Sequence, residues 1–210
     1  MNQKKAIISD LFYLPPIEYF VSTLGFEEIQ IDQTERFQKQ TLRNRANILL
    51  ANKIEVLSVP VVGSSKKQFY KDVKIDYNQK WKNVHLRGIQ SAYGKAPFFE
   101  YFYPYFDQIY EKNLTFLFDL NHDLLTVCLK LLRVKANLKL VGDCDLEQES
   151  IDLRGVIRTK EEFTQRDIMT PYHYPQMFGL DFVPNLSILD LLFCMGPESL
   201  QVLLHSKKNH

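Results

Sequence analysis

The sequence predicts an α/β protein: a small, mainly parallel sheet with a β-hairpin extension and a helical C-terminal half. Three observations carry that reading. The first thirty residues run strand, proline turn, helix, strand, a unit that favours parallel pairing. Two β-like runs flank Ala51-Asn52, as a hairpin requires. Beyond residue 79, apolar residues recur at the 3.6-residue period of helices packed on one face.

Ala6 to Tyr13 is apolar and partly β-branched, which reads as the first strand. Pro15-Pro16 interrupts it, and because proline is tolerated in the first helical turn, Ile17 to Leu24 is expected as a short helix ended by Gly25. Glu27 to Asp32 alternates polar residues with Ile29 and Ile31 and gives the second strand. Ala46 to Leu50 and Lys53 to Val62 form the hairpin, ending at Pro60, and Gly63-Ser64-Ser65-Lys66-Lys67 reads as a mobile loop. Val73 to Asp76 is a further short strand. Trp81, Val84, Gly88, Ile89 and Ala92 mark one helix, and Phe98 to Tyr110 marks a second that Pro104 kinks or restarts. Leu124 to Leu132 marks a third, capped by Asn121. Leu138 to Val141 is a strand, Asp143 to Glu149 an acidic exposed connection, and Leu186 to Met195 a helix stopped by Gly196, with Pro197 opening another. The expectation is one domain over 1–210, sheet-rich over 1–78 and mainly helical over 79–210.

Composition bounds the function. Of the residues, 45% are hydrophobic and 24% charged, ordinary values for a globular chain that needs no staples. Net charge is +1, so no global field draws the protein to nucleic acid or an anionic surface. The 3 cysteines show no CxxC spacing and read as reduced core thiols. The basic-then-apolar start imitates a secretory leader, but Asp10 and Pro15-Pro16 interrupt a run already too short. No stretch reaches the about 18 apolar residues of a spanning helix. A soluble cytoplasmic protein is expected. Glycine-rich phosphate loops, HExxH and GxSxG are all absent, which removes common nucleotide-loop, zinc and serine hydrolase readings; no metal ligand set and no cofactor is identified.

Three groups of residues can carry chemistry. Lys39-Gln40-Thr41-Leu42-Arg43-Asn44-Arg45 places three cations and two amides within seven residues. If extended, it projects Arg43 and Arg45 from one face to hold a phosphate or carboxylate; otherwise it is a solvated basic strand or turn leading into the hairpin. His85 shares a stripe with Trp81 and is either a proton carrier at a cleft wall or a hydrogen-bonded core residue. Glu18, Asp76, Tyr93 and Glu100 stand at apparent element ends, and a crevice beyond the carboxyl ends of a parallel sheet would include the proline turn that holds Glu18. Asp190, amid leucines, needs exposure or a partner, for which Arg43, Arg45 and Arg87 are candidates.

Several segments in order resemble the WbqC-like family: Tyr13-Leu14-Pro15-Pro16-Ile17-Glu18-Tyr19-Phe20, the Lys39 to Arg45 run, Val59-Pro60-Val61 and Asp72 to Asp76. The series continues with Trp81, His85, Ala92-Tyr93 and Ala96 to Tyr101, then Tyr174-Pro175-Gln176-Met177-Phe178 and Phe182 to Phe193. Many members carry Gln-Pro in the first turn where this chain reads Ser9-Asp10-Leu11-Phe12. The resemblance implies a place in bacterial cell-surface (O-antigen-type) polysaccharide synthesis, with glycine transfer to a sugar as the suggested reaction. On that reading Lys39, Arg43, Asn44, Arg45, Tyr93 and Glu18 bind substrate, His85 deprotonates the sugar amine, and Glu100 or Asp76 orients the imidazole or the sugar. The implied partner is a small molecule, a sugar nucleotide or activated amino acid, with no membrane insertion and no nucleic acid unless an aminoacyl-tRNA is the donor. A non-catalytic sugar-nucleotide binder or scaffold, and a nucleotidyltransferase-like enzyme, remain as alternatives.

Overall fold

The computed structural model describes residues 6–63, 68–142, 150–179 and 181–208. The basic start over 1–5, the 64–67 part of the expected loop, and the acidic connection 143–149 with Cys144 lie outside them.

Four strands form one parallel sheet. β1 (Ala6–Ser9) pairs with β2 (Glu28–Asp32) through Ile7↔Ile29, joined by α1 (Ile17–Thr23). Both strands have apolar β-branched centres buried on both faces, the pattern of a covered parallel sheet. Gly25, at φ +92°, lets the chain turn out of α1 into β2. β5 (Asn137–Val141) joins the far side of β2, and β6 (Ile151–Asp152) joins the free side of β1, giving the order β5-β2-β1-β6. Counted within the sheet alone this is 3-2-1-4, the order of a doubly wound half, which reverses direction between β1 and β6.

β3 (Arg45–Leu50) and β4 (Lys53–Ser58) form a separate antiparallel hairpin turning at Ala51-Asn52. It ends at Ser58 because Val59 N–H turns to the Asn44 carbonyl and Pro60 has no donor. The strand expected at Val73–Asp76 is instead a 3-10 turn (Tyr70–Asp72) followed by single bridges, Lys74 to Phe116 and Ile75 to Val61. Among the described residues no neighbouring segment runs beside it long enough to build a ladder.

The helices are α2 (Trp81–Tyr93), α3 (Phe99–Glu111), α4 (Leu117–Leu131), α5 (Ile188–Met195) and α6 (Ser199–Ser206). α2 and α5 pack on β3, and α2 comes close enough to the hairpin at Gly88 that a Cβ there would touch Leu57 and Ile48. Its buried stripe is Trp81, His85, Ile89 and Ala92; Val84, expected on that stripe, is 62% exposed. α3 runs through Pro104 without a break: proline leaves the Glu100 carbonyl without its helical donor, but both residues sit on the exposed side. Asn121 lies inside α4 rather than capping it, because its amide is used across the core, donating to the Arg43 carbonyl and to Tyr70 Oη. One contiguous core draws on both halves of the chain, from Ile7 and Phe20 to Leu189 and Phe193, and includes Cys128 and Cys194 as free buried thiols. Among the described residues one stretch, Ile188–Ser206, is long and apolar enough to cross a membrane; most of it is buried in this core.

Candidate functional site

A cleft of about 770 Å³ opens beyond the carboxyl ends of β1, β2 and β6, where strand order reverses. Asp10 directly follows β1, Asp152 ends β6, and Arg154 and Gly155 follow it, so strand ends present their side chains and backbone to one hollow. Arg43 enters from the turn before β3.

The buried charges are tightly interlocked. Arg43 Nη2 donates to Asp10 Oδ1 at 2.7 Å and to Glu35 Oε2 at 2.9 Å, while Nη1 donates to the Arg36 carbonyl. Asp10 Oδ2 accepts the Gly155 N–H at 2.7 Å, tying the β6 exit to β1. Arg154 holds Asp152 by Nε and Nη2 and Asp32 by Nη1. Burial pushes the Glu35 carboxyl up to about 7, with Arg43 pulling down and the charges of Asp10 and Asp32 adding to the rise. A carboxyl poised near neutrality in a cleft is the profile of a proton-transfer group. Among the described residues no group of three or more His, Cys, Asp or Glu side chains is placed to hold a metal ion.

A second cleft, about 350 Å³, adjoins the first; Leu42, Arg158, Thr159 and Glu161 line both. Arg45, the first residue of β3, lines the second cleft only. On its wall Glu18 is 1% exposed and held by a two-pronged Arg166, Nε to Oε2 at 3.0 Å and Nη2 to Oε1 at 2.6 Å. Asn185 Nδ2 also donates to Glu18 Oε1 at 2.9 Å, and its own Oδ1 accepts the Glu18 N–H at 3.0 Å. Arg166 Nη1 further donates to the carbonyls of Arg158 and Glu161, so one guanidinium shapes the loop that rims both clefts.

The residues singled out from sequence are therefore dispersed. Residues 42–44 form a turn rather than an extended run, so Arg43 and Arg45 part company, one to each cleft. Asn44 is buried and bound to the Val59 carbonyl, a turn-fixing role; Lys39 is exposed and lines neither cleft. His85 is 2% exposed, beneath the hairpin, with Nδ1 2.8 Å from Tyr13 Oη and its ring edge-on to Trp81. Burial lowers its pKa to about 4, against a smaller upward pull from the Ser58 backbone, so at neutral pH it is an uncharged core residue. Tyr93 is also fully buried; burial and then the Asp190 charge push its hydroxyl upward. Asp76 binds Asn78 N–H and Gln79, and Glu100 is exposed at the start of α3; neither lines either cleft. Asp190 takes its bonds from Tyr174 Oη at 2.6 Å and Gln176 Nε2 at 2.9 Å, not from an arginine. Sequence reading passed over Asp10, Glu35, Arg154, Arg158 and Arg166. Strand-end position would have marked Asp10; nothing local marks the others.

The model of the WbqC-like protein family matches residues 12–171 and 158–202. The uncharacterised protein Rv1507c of Mycobacterium tuberculosis (strain ATCC 25618 / H37Rv) is 26% identical over 225 residues, covering 93% of this chain and 96% of that protein. No solved structure matches the chain. The matched segments span the proline turn, the basic turn, the lining of both clefts apart from Asp10, and the closing helix α5, and the chain belongs to the WbqC-like protein family.

Proposed function

We propose that the protein transfers an activated aminoacyl group, glycyl in the simplest case, to the amine of a nucleotide-linked amino sugar in cytoplasmic assembly of cell-surface polysaccharide. The observation that supports it is Glu35: a carboxyl raised to about 7, on the wall of a sheet-end cleft large enough for a sugar. The sugar's ammonium gives one proton to the Glu35 carboxylate. The free amine then attacks the carbonyl carbon of the donor, a C–N bond forms, and the leaving group departs with the bonding pair and takes up the second proton of that nitrogen. Arg43 keeps Glu35 and Asp10 in place, and Asp10 fixes the rim through Gly155. This assigns to Glu35 the proton transfer that the sequence suggested for His85.

Purified protein supplied with an activated labelled glycine donor and amino-sugar nucleotides is expected to give a glycylated sugar. Glu35→Gln is expected to reduce turnover by about 100-fold or more, the usual contribution of a general base. Absence of product across donors, from folded protein that still binds the sugar nucleotide, assigns a carrier role instead.

A further inference from the structure

We infer that the smaller cleft is a diphosphate subsite, and that the two clefts form one trough holding a sugar nucleotide with its phosphates beside Arg45 and its amine beside Glu35. The subsite stands on the smaller cleft alone; the placement of the amine rests on the function proposed above.

Arg45 supplies the first reason. Its Nε is shielded from solvent and has no hydrogen-bond partner among the described residues. The guanidinium as a whole has no protein acceptor among the described residues, so its Nη groups on the cleft wall are left for an acceptor that arrives with a ligand. Guanidinium matches phosphate oxygens in a two-pronged, charge-assisted geometry.

Charge supplies the second. Around the smaller cleft Arg45, Arg158 and Arg166 face Glu18 and Glu161, an excess of one positive charge. Glu18 is neutralised by Arg166, and Glu161 sits 3.5 Å from Arg158 in an exposed contact that a phosphate can displace. The larger cleft has a smaller excess, because Asp10, Asp152, Glu161 and the ionised fraction of Glu35 offset its four cations. An anion is therefore drawn to the smaller cleft and an ammonium to the carboxylates of the larger one. Shared lining by Leu42, Arg158 and Thr159 makes the two continuous, so one ligand carrying both groups can span them.

Titration calorimetry of the full chain with inorganic pyrophosphate is the test. Saturable binding that weakens with added salt is expected. Arg45→Gln and Arg158→Gln are each expected to weaken it about tenfold or more, the effect of losing a charge-assisted bond. Lys53→Gln, which removes an exposed cation of the hairpin lining neither cleft, is expected to leave it unchanged. Arg158 is exposed, so its variant reports even if Arg45→Gln fails to fold. Absence of saturable binding, or binding that survives both arginine substitutions, overturns the subsite. Pyrophosphate binding with no glycylated product overturns the proposed reaction and leaves the subsite standing.

Discussion

At the residue scale, His85 and Glu35 give opposite pH dependences. His85 falls from 6.5 to about 4 on folding, so the stability that comes from keeping it neutral is present above pH 6.5 and is lost as pH falls through about 4. Glu35 rises from 4.5 to about 7, so its contribution is complete below pH 4.5 and is lost as pH rises through about 7. Between 4.5 and 6.5 the two trends oppose. Glu35→Gln is expected to remove the loss of stability on approaching neutrality while leaving the acid limb, as read from urea unfolding midpoints across pH 3–8. The buried pair of Glu18 and Arg166 makes a second prediction. Arg166→Met strands a carboxylate that is 1% exposed and is expected to lower unfolding stability by about 3–5 kcal/mol, with Glu18→Gln in the same chain restoring part of it. Glu18 stood out in the sequence because its proline turn falls beyond the carboxyl end of the first strand; its partner lies 148 positions away and could not be seen. His85 was visible on its stripe, but periodicity gives the stripe without saying that a hairpin covers it.

Elements formed by neighbours in sequence were legible, as was β5 from its own apolar run, whereas β6 was not. The unit β1-α1-β2 and the hairpin β3-β4 follow from alternation, a proline turn and a two-residue reversal, all within a few residues of their partners. β6 is two residues long and exists only because Ile7 and Ile8 offer it an edge, so no local signal announces it. The basic run stayed open between an extended strand and a turn because its charges decide neither, whereas Tyr70 and Asn121 claim the Arg43 carbonyl and fix a turn. Gly196 shows local and distant constraints meeting at one position. It ends α5 at φ +52°, and a Cβ there would drive into the Phe98 ring. Gly196→Ala is therefore expected to destabilise by about 2 kcal/mol or more, from overpacking together with left-handed strain, as a lowered thermal midpoint.

On the scale of the whole molecule, the sheet's chain order explains why the clefts lie where they do. The chain leaves β1 toward β2 and returns much later to β6 on the other side, so a crevice opens at the carboxyl ends where the order reverses. The N-terminal half supplies Asp10, Glu35, Arg43 and Arg45, and the C-terminal half supplies Arg154, Arg158 and Arg166, so neither half holds a site alone. The core is shared in the same way, with Leu189 and Phe193 packed into one cluster with Tyr13 and Phe20. A chain ended after residue 134 is expected to give circular dichroism and amide spectra of an unfolded protein.

The loop from Arg154 to Arg166 is held at its two ends, by Asp10 on Gly155 and by Glu18 on Arg166, while Arg158 and Lys160 between them are exposed. Trypsin should therefore nick the native protein after these two residues. The severed pieces should stay together on a sizing column, because the strands and helices on either side of the nick remain packed in one core. Saturating pyrophosphate should slow this proteolysis and leave cutting elsewhere unchanged, turning a gel time course into a footprint of the occupied trough.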